Sequence, residues 1–319
     1  MRRRALALCG SLALALACSG DGPRMMAKRT ARPELATGSF TANVNGRQLH
    51  YEVRGSGPVL MTLPNSWGLT LDGLRALYRP LEKHLTMVYF DPRGMGGSGP
   101  VIDESDMSLK AVRDDFDALR RLLGLGRVNA IGWSNGATNL IFLASERPQI
   151  LGSAIFVHGV SRASEDDFAD FGERYPEWAA AAAELQRQMA RDDLAADEKT
   201  RLLRTFNMES AFPSLFADPD RGRALLAEAW AGVGFSARHG AYAQAELGLF
   251  DLRDQIAAIP VRSLVIAGAF DVLPPERARE IADGVADGRF VLFENSGHFA
   301  PLEEPARFVQ VVVDFLREG

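Results

Sequence analysis

Cysteine is almost missing from this chain. Its 319 residues hold two, Cys9 and Cys18, both close to the start. They make no pair spaced to hold a metal, and the five histidines are scattered, which argues against a metal centre. An excess of positive charge is missing too. Lys and Arg number 36 against 41 Asp and Glu, for a net charge of −5. No run of basic residues interleaved with aromatics follows the N-terminus, so no nucleic-acid footprint is expected. There is no internal repeat, and one Ala/Leu run near the start is the sole low-complexity tract. The glycine-rich stretch Asp91 to Ser98 lacks the Lys-Ser/Thr ending of a phosphate-binding loop and the G-x-G-x-x-G spacing of a dinucleotide site. That excludes nucleotide binding and leaves Asp91 and Arg93 to hold the loop in shape. What remains is an ordinary globular composition, 47% hydrophobic and 24% charged. The length suits one large domain or a core with an insertion.

The first residues stand apart. Arg2, Arg3 and Arg4 precede a nearly continuous Ala/Leu stretch from Ala5 to Ala17, with small residues at Ala15 and Ala17. This reads as a secretory signal peptide over residues 1–17, too short to span a bilayer comfortably. Its removal would carry the charge from −5 to about −8. The segment Ala-Leu-Ala-Cys-Ser-Gly resembles a bacterial lipoprotein cleavage site, although Ala15 stands where Leu is commoner. That resemblance implies a diacylglycerol on the Cys18 thiol. The other reading is cleavage after Ala17 that leaves a free cysteine. Either way one cysteine and no internal disulfide would remain. The expected location is outside the cytoplasm: membrane-anchored through this lipid alone, or else periplasmic or secreted. Residues 18–39 are polar, with scattered Pro, Gly and basic residues, and read as a flexible tether.

From Phe40 the pattern becomes periodic. Phe40 to Val44 and Gln48 to Val53 flank Asn45-Gly46 and read as a hairpin. Val59 to Leu63, Thr86 to Phe90, Arg127 to Trp133, Leu151 to Val157, Val261 to Ala267 and Phe290 to Phe293 read as buried strands. Leu71 to Leu81, Leu109 to Leu123, Asn135 to Ala144, Glu276 to Ala282 and Pro305 to Leu316 have helical spacing. The clearest is Leu109 to Leu123, with Val112, Phe116, Leu119 and Leu123 on one face. Alternation of this kind predicts a mostly parallel sheet covered by helices on both faces. It stops over residues 161–249, which look helical and hold no convincing strand. The expected organisation is an α/β core of residues 40–160 and 250–319, interrupted by a helical cap of residues 161–249, since a segment this long is rarely a passive loop.

Gly132-Trp133-Ser134-Asn135-Gly136 fits G-x-S-x-G, with a strand before it and a helix after it. The turn forces Ser134 into strain, and the two glycines remove side chains that would collide. The helix N-terminus beyond it offers backbone N–H donors to a developing oxyanion. A serine alcohol needs a base. Of the five histidines, His298 follows the last strand in Asn295-Ser296-Gly297-His298-Phe299, at the sheet edge that carries Ser134. His50, His84, His158 and His239 read as structural, His158 the least securely because it also ends a strand at that edge. Asp271, in Gly268-Ala269-Phe270-Asp271, follows the preceding strand and is placed to orient the base. By position, the backbone N–H groups of Ser66 and Asn135 would form the oxyanion hole. An imidazole base must be neutral to act, so activity is expected to rise with pH through a single ionisation. An unperturbed imidazole titrates at about 6.5.

The order Ser134, Asp271, His298, the loop Asp91 to Ser98 and the ending Ser296-Gly297-His298 with Glu303, Glu304 and Pro305 together resemble the α/β-hydrolase superfamily from about Phe40 onward. Within it the loop, the helical cap and the ending are similar to proline iminopeptidases and small esterases. The chain departs from that branch at Pro64-Asn65, where His-Gly is usual. The resemblance implies a serine hydrolase that cleaves an ester or amide bond of a small molecule through an acyl-enzyme, without a cofactor. An aminopeptidase of the iminopeptidase type, or a non-catalytic binding protein of the same fold, are the alternatives. An iminopeptidase-like specificity would need a carboxylate for a substrate ammonium, for which Glu209, Glu228 and Glu246 are the candidates. If Cys18 is lipidated, the wild-type chain should fractionate with membranes and Cys18→Ser should become soluble. Solubility of both would leave secretion and end the lipid anchor.

Overall fold

The computed structural model describes residues 35–65, 67–166, 172–173 and 175–318. The strands are β1 Gly38–Val44, β2 Arg47–Gly55, β3 Val59–Leu63, β4 Thr86–Phe90, β5 Val128–Trp133, β6 Leu151–Val157, β7 Arg162–Ala163, β8 Phe250–Asp251, β9 Ser263–Gly268 and β10 Gly288–Phe293. Eight of them form one sheet in the order β1-β2-β4-β3-β5-β6-β9-β10. The hairpin β1–β2 and its junction with β4 are antiparallel, and every later pairing is parallel.

The central strands read as unbroken apolar runs because helices cover both of their faces. Along each run, successive side chains enter different cores. Met61, Val88, Ala130, Phe156 and Val265 join one cluster; Leu60, Met87, Ile131, Ile155 and Leu264 join the other. The first cluster is closed by α2 Leu109–Leu122, α3 Asn135–Glu146, α8 Arg253–Ala257 and α9 Pro275–Gly284. The second is closed by α1 Leu71–Tyr78 and α10 Pro305–Arg317. Two capping groups set the start of α2. The Ser108 hydroxyl accepts from Ala111 N–H, and the Glu246 carboxylate accepts from Leu109 N–H at 2.8 Å.

Between β7 and β8 the described residues are mainly helical: α4 Pro176–Met189, α5 Ala196–Phe206, α6 Pro219–Ala229 and α7 Ala237–Leu247. Phe216, Leu226, Trp230 and Val233 of this segment are part of the second core cluster, so the segment is welded to the sheet. Two features differ from the sequence reading. The two ends of the segment pair as an antiparallel ladder, Arg162 with Asp251 and Ala163 with Phe250. Strands of two residues are too short to show a period. The helix expected over Leu71 to Leu81 also ends early, at Tyr78. Its continuation, Arg79–Lys83, tightens into a 3-10 turn around Pro80, which has no N–H to extend the α-helical ladder.

Candidate active site

At the end of β5 the chain reverses into α3 within one residue. Ser134 takes φ 53° and ψ −121°, a conformation that side chains with a Cβ rarely adopt. Its N–H donates to Val157 O at 2.8 Å, which ties the turn to β6. The approach is possible only without side chains: a Cβ on Gly132 would lie 2.4 Å from Gly136 O, and one on Gly136 would lie 2.7 Å from Leu63 O. Ser134 is half-buried, and Asn135 begins α3 beside it. The second residue assigned to the oxyanion hole, Ser66, lies outside the described residues, as does Cys18. The buried Asn65 side-chain oxygen accepts from Trp67 N–H at 2.9 Å.

His298 follows β10 on a loop held from several sides. Its N–H donates to Leu215 O at 2.7 Å, and its carbonyl accepts the Trp133 indole N–H at 2.9 Å. Trp133 is the residue before Ser134, and its ring lies 5.2 Å from the imidazole, so this contact brings the His298 loop and the serine turn together. Buried Glu303 clamps the same loop. Its carboxylate accepts from Gly297 N–H, Phe299 N–H and Ala217 N–H. Burial pushes the Glu303 carboxyl up despite those three donors.

Asp271 stands on the turn after β9. That turn meets the His298 loop so closely that a Cβ on Gly268 would fall 2.1 Å from Gly297 O. The Asp271 carboxylate accepts from His298 Nδ1–H, 3.0 Å from each oxygen, and from Leu273 N–H at 3.0 Å. With Nδ1 carrying the proton, the free lone pair of a neutral His298 is on Nε2, the nitrogen a base uses. Burial alone would raise the Asp271 carboxyl. The His298 charge and the hydrogen bonds from His158 and His298 outweigh it and hold the group well below the usual carboxylate range.

The structure thus pairs His298 with Asp271 and, through Trp133, brings the His298 loop to the Ser134 turn. It also adds His158. This residue is fully buried, has φ 52°, and bonds Asp271 Oδ2 through Nδ1 at 2.7 Å. Its position at the end of β6, on the active edge, was the one signal available. His158, Asp271 and His298 converge within 4.8 Å, a grouping that could in principle hold a metal ion. Their N···O separations of 2.7–3.0 Å are those of direct hydrogen bonds.

The remaining histidines are accounted for by structure or surface. His239 ties α7 to the glycine-rich loop, with Nε2 donating to Arg93 O at 2.8 Å. His50 bonds buried Asp91 through Nδ1 at 2.7 Å and exposed Ser39 through Nε2 at 2.8 Å. Ser39 sits in the extended edge strand β1, without a strained turn. In the glycine-rich loop, Asp91 also accepts from Leu71 N–H and Gly97 N–H, and Arg93 bonds Asp106 and both oxygens of Asp115. The three glutamates proposed for a substrate ammonium fail the test of burial. Glu209, Glu228 and Glu246 are all exposed, and Glu246 is engaged at the start of α2.

A family model described as the alpha/beta hydrolase fold matches residues 61–305. A proline iminopeptidase of Saccharolobus solfataricus is 23% identical over 83% of this chain and 87% of its own. Among solved structures, an alpha/beta fold family hydrolase from Bacillus anthracis matches with TM-score 0.70 at 18% identity, over 88% of this chain and 99% of its own. The enol-lactonase from Burkholderia xenovorans LB400 matches with TM-score 0.66 at 23% identity, over 87% and 99%.

Burial lowers the proton affinity of both His158 and His239, against smaller opposing effects from Asp271 and from the Arg93 carbonyl respectively. An unfolded histidine takes up its proton at about pH 6.5. Below that pH the unfolded chain therefore binds more protons than the folded one, and stability falls as pH falls; above it the contribution is complete. Tm should be level above about pH 7 and decline below about pH 6.5. The decline should be shallower in His239→Asn. Parallel Tm–pH curves for the two proteins would contradict this.

Proposed function

The chain belongs to the alpha/beta hydrolase fold family, and within that family we propose that it is a serine hydrolase acting on a small ester by acyl transfer. The observation that carries the reading is the strained Ser134 turn set beside a histidine whose Nδ1 is held by a buried, ionised carboxylate. In the proposed mechanism His298 Nε2 takes the Ser134 hydroxyl proton while the oxygen attacks the carbonyl. The resulting oxyanion is stabilised by the backbone N–H groups of Asn135 and Ser66. His298 then protonates the leaving alcohol, and water, deprotonated by the same imidazole, releases the acid. Asp271 stays ionised throughout.

An ester is favoured over an aminoacyl amide because the glutamates available to pair with a substrate ammonium are exposed. The buried aromatic residues Trp133 and Phe299 flank the His298 ring and offer no charged partner there for a substrate ammonium. The names of the similar chains, an enol-lactonase and a proline iminopeptidase, span both bond types.

The helical segment over residues 161–249 is proposed as a cap. Support comes from Leu215 and Ala217, whose backbone groups bond His298 N–H and the Glu303 carboxylate. Export and lipidation at Cys18 belong to the same proposal, and their support is the charged and apolar pattern of the first residues. Among the described residues no helix is long and apolar enough to cross a membrane.

The test is a kinetic comparison on p-nitrophenyl esters, lactones and aminoacyl amides, with and without N-acetylation. Wild type should hydrolyse esters, and Ser134→Ala should lose roughly a thousandfold or more in kcat/KM while remaining folded. A free amino group should make little difference. A loss of tenfold or more on N-acetylation would move the substrate class to aminoacyl amides. Retention of activity in Ser134→Ala would end the serine-hydrolase reading.

A further inference from the structure

The proton positions around His158 follow from its neighbours. Ala300 N–H points at His158 Nε2 at 3.3 Å. A backbone N–H can only donate, so Nε2 must be the acceptor. The proton of the neutral ring is then on Nδ1, which donates to Asp271 Oδ2 at 2.7 Å. Protonating the ring would set an N–H against the Ala300 N–H in a site with no exposure to water. The backbone is committed to this arrangement as well. His158 N–H donates to Ile266 O at 2.8 Å, and φ of 52° aims the side chain across the end of β9. The shortest hydrogen bond to the Asp271 carboxylate therefore comes from His158, ahead of the 3.0 Å bonds from His298.

We propose that His158 is a positioning residue for the Ser134 reaction, a permanently neutral imidazole that shares the Asp271 carboxylate with His298, fixes its orientation and moderates its hold on the His298 proton. The inference rests on the reading of Ser134, His298 and Asp271 as the reacting set. One donor settles two properties. It keeps the carboxylate from rotating away from His298, and it drains negative charge that would otherwise stabilise imidazolium. The titratable groups around the pair are Asp271, His158 and, across the His298 loop, Glu303, which accepts from Gly297 and Phe299.

The conservative replacement is asparagine. Its Nδ2 occupies the place of His Nδ1, and it tolerates positive φ better than most residues other than glycine. His158→Leu removes the donor. The experiment is the pH dependence of kcat/KM for an ester, measured on wild type, His158→Asn and His158→Leu. The acid limb should move up by roughly half a pH unit or more in His158→Leu, with a fall in kcat of roughly tenfold. His158→Asn should restore the wild-type limb. A limb that stays in place in folded His158→Leu would overturn the proposal, because loss of packing alone lowers the rate without moving the profile.

If His158→Leu does not fold, imidazole nitrogen NMR of the wild type decides. His158 should remain the neutral Nδ1–H form from about pH 5 to 8, with its Nδ1–H resonance shifted in Asp271→Asn. Titration of His158 through that range, or an Nε2–H tautomer, would overturn it. Failure of the underlying reading is separate: activity that survives Ser134→Ala removes the reaction but leaves the His158 tautomer as found.

Discussion

Asp271 carries its negative charge almost out of reach of water, and an uncompensated charge in such a place costs several kcal/mol. The fold meets that cost with hydrogen bonds from His158, His298 and Leu273. These donors come from the end of β6, from the loop after β10 and from the turn of Asp271 itself. They can meet because β6, β9 and β10 are parallel neighbours whose C-terminal ends lie at one edge. An ionised carboxylate in turn fixes the tautomers of both imidazoles. The chemistry open to Ser134 thus depends on keeping one buried charge satisfied.

The edge is assembled by close approach of backbones. Glycines at 132, 136, 268 and 297 each stand where a Cβ would strike a carbonyl oxygen. At Gly297 that oxygen belongs to Leu215, in the helical segment. The same segment takes the His298 N–H and supplies a donor to Glu303. It also fills the second core with Phe216 and Trp230. A change in the position of the helical segment would therefore be felt at the His298 loop through hydrogen bonds as well as packing.

Much of this was legible in the chain. The parallel strands showed as apolar runs because both of their faces are covered. The helix from Leu109 was placed within a residue because its apolar face has a clean period and Ser108 caps it. Ser134, Asp271 and His298 could be named as candidates because each lies at or within a few residues of a strand's C-terminal end, and those ends share an edge in this topology. Partners across the fold were not. His158 and Asp271 are 113 positions apart, and no local pattern joins them. The β7–β8 ladder is too short to have a period. The helical segment was misread in detail for another reason. Ala-rich helices present weak faces, so the rotation that leaves Glu228 and Glu246 in solvent cannot be judged from spacing, and Glu209 falls in a short turn, Asn207–Ala211, with no face to read.

The central claim is that the reactive oxygen belongs to Ser134. A fluorophosphonate reacts irreversibly with an activated serine, so peptide mapping of the labelled protein reads that oxygen directly. The expected result is one adduct per chain, on the peptide that contains Ser134, and none in folded Ser134→Ala. An adduct on Ser39, the exposed serine bonded to His50, or no adduct on a protein that turns over esters, would contradict the account.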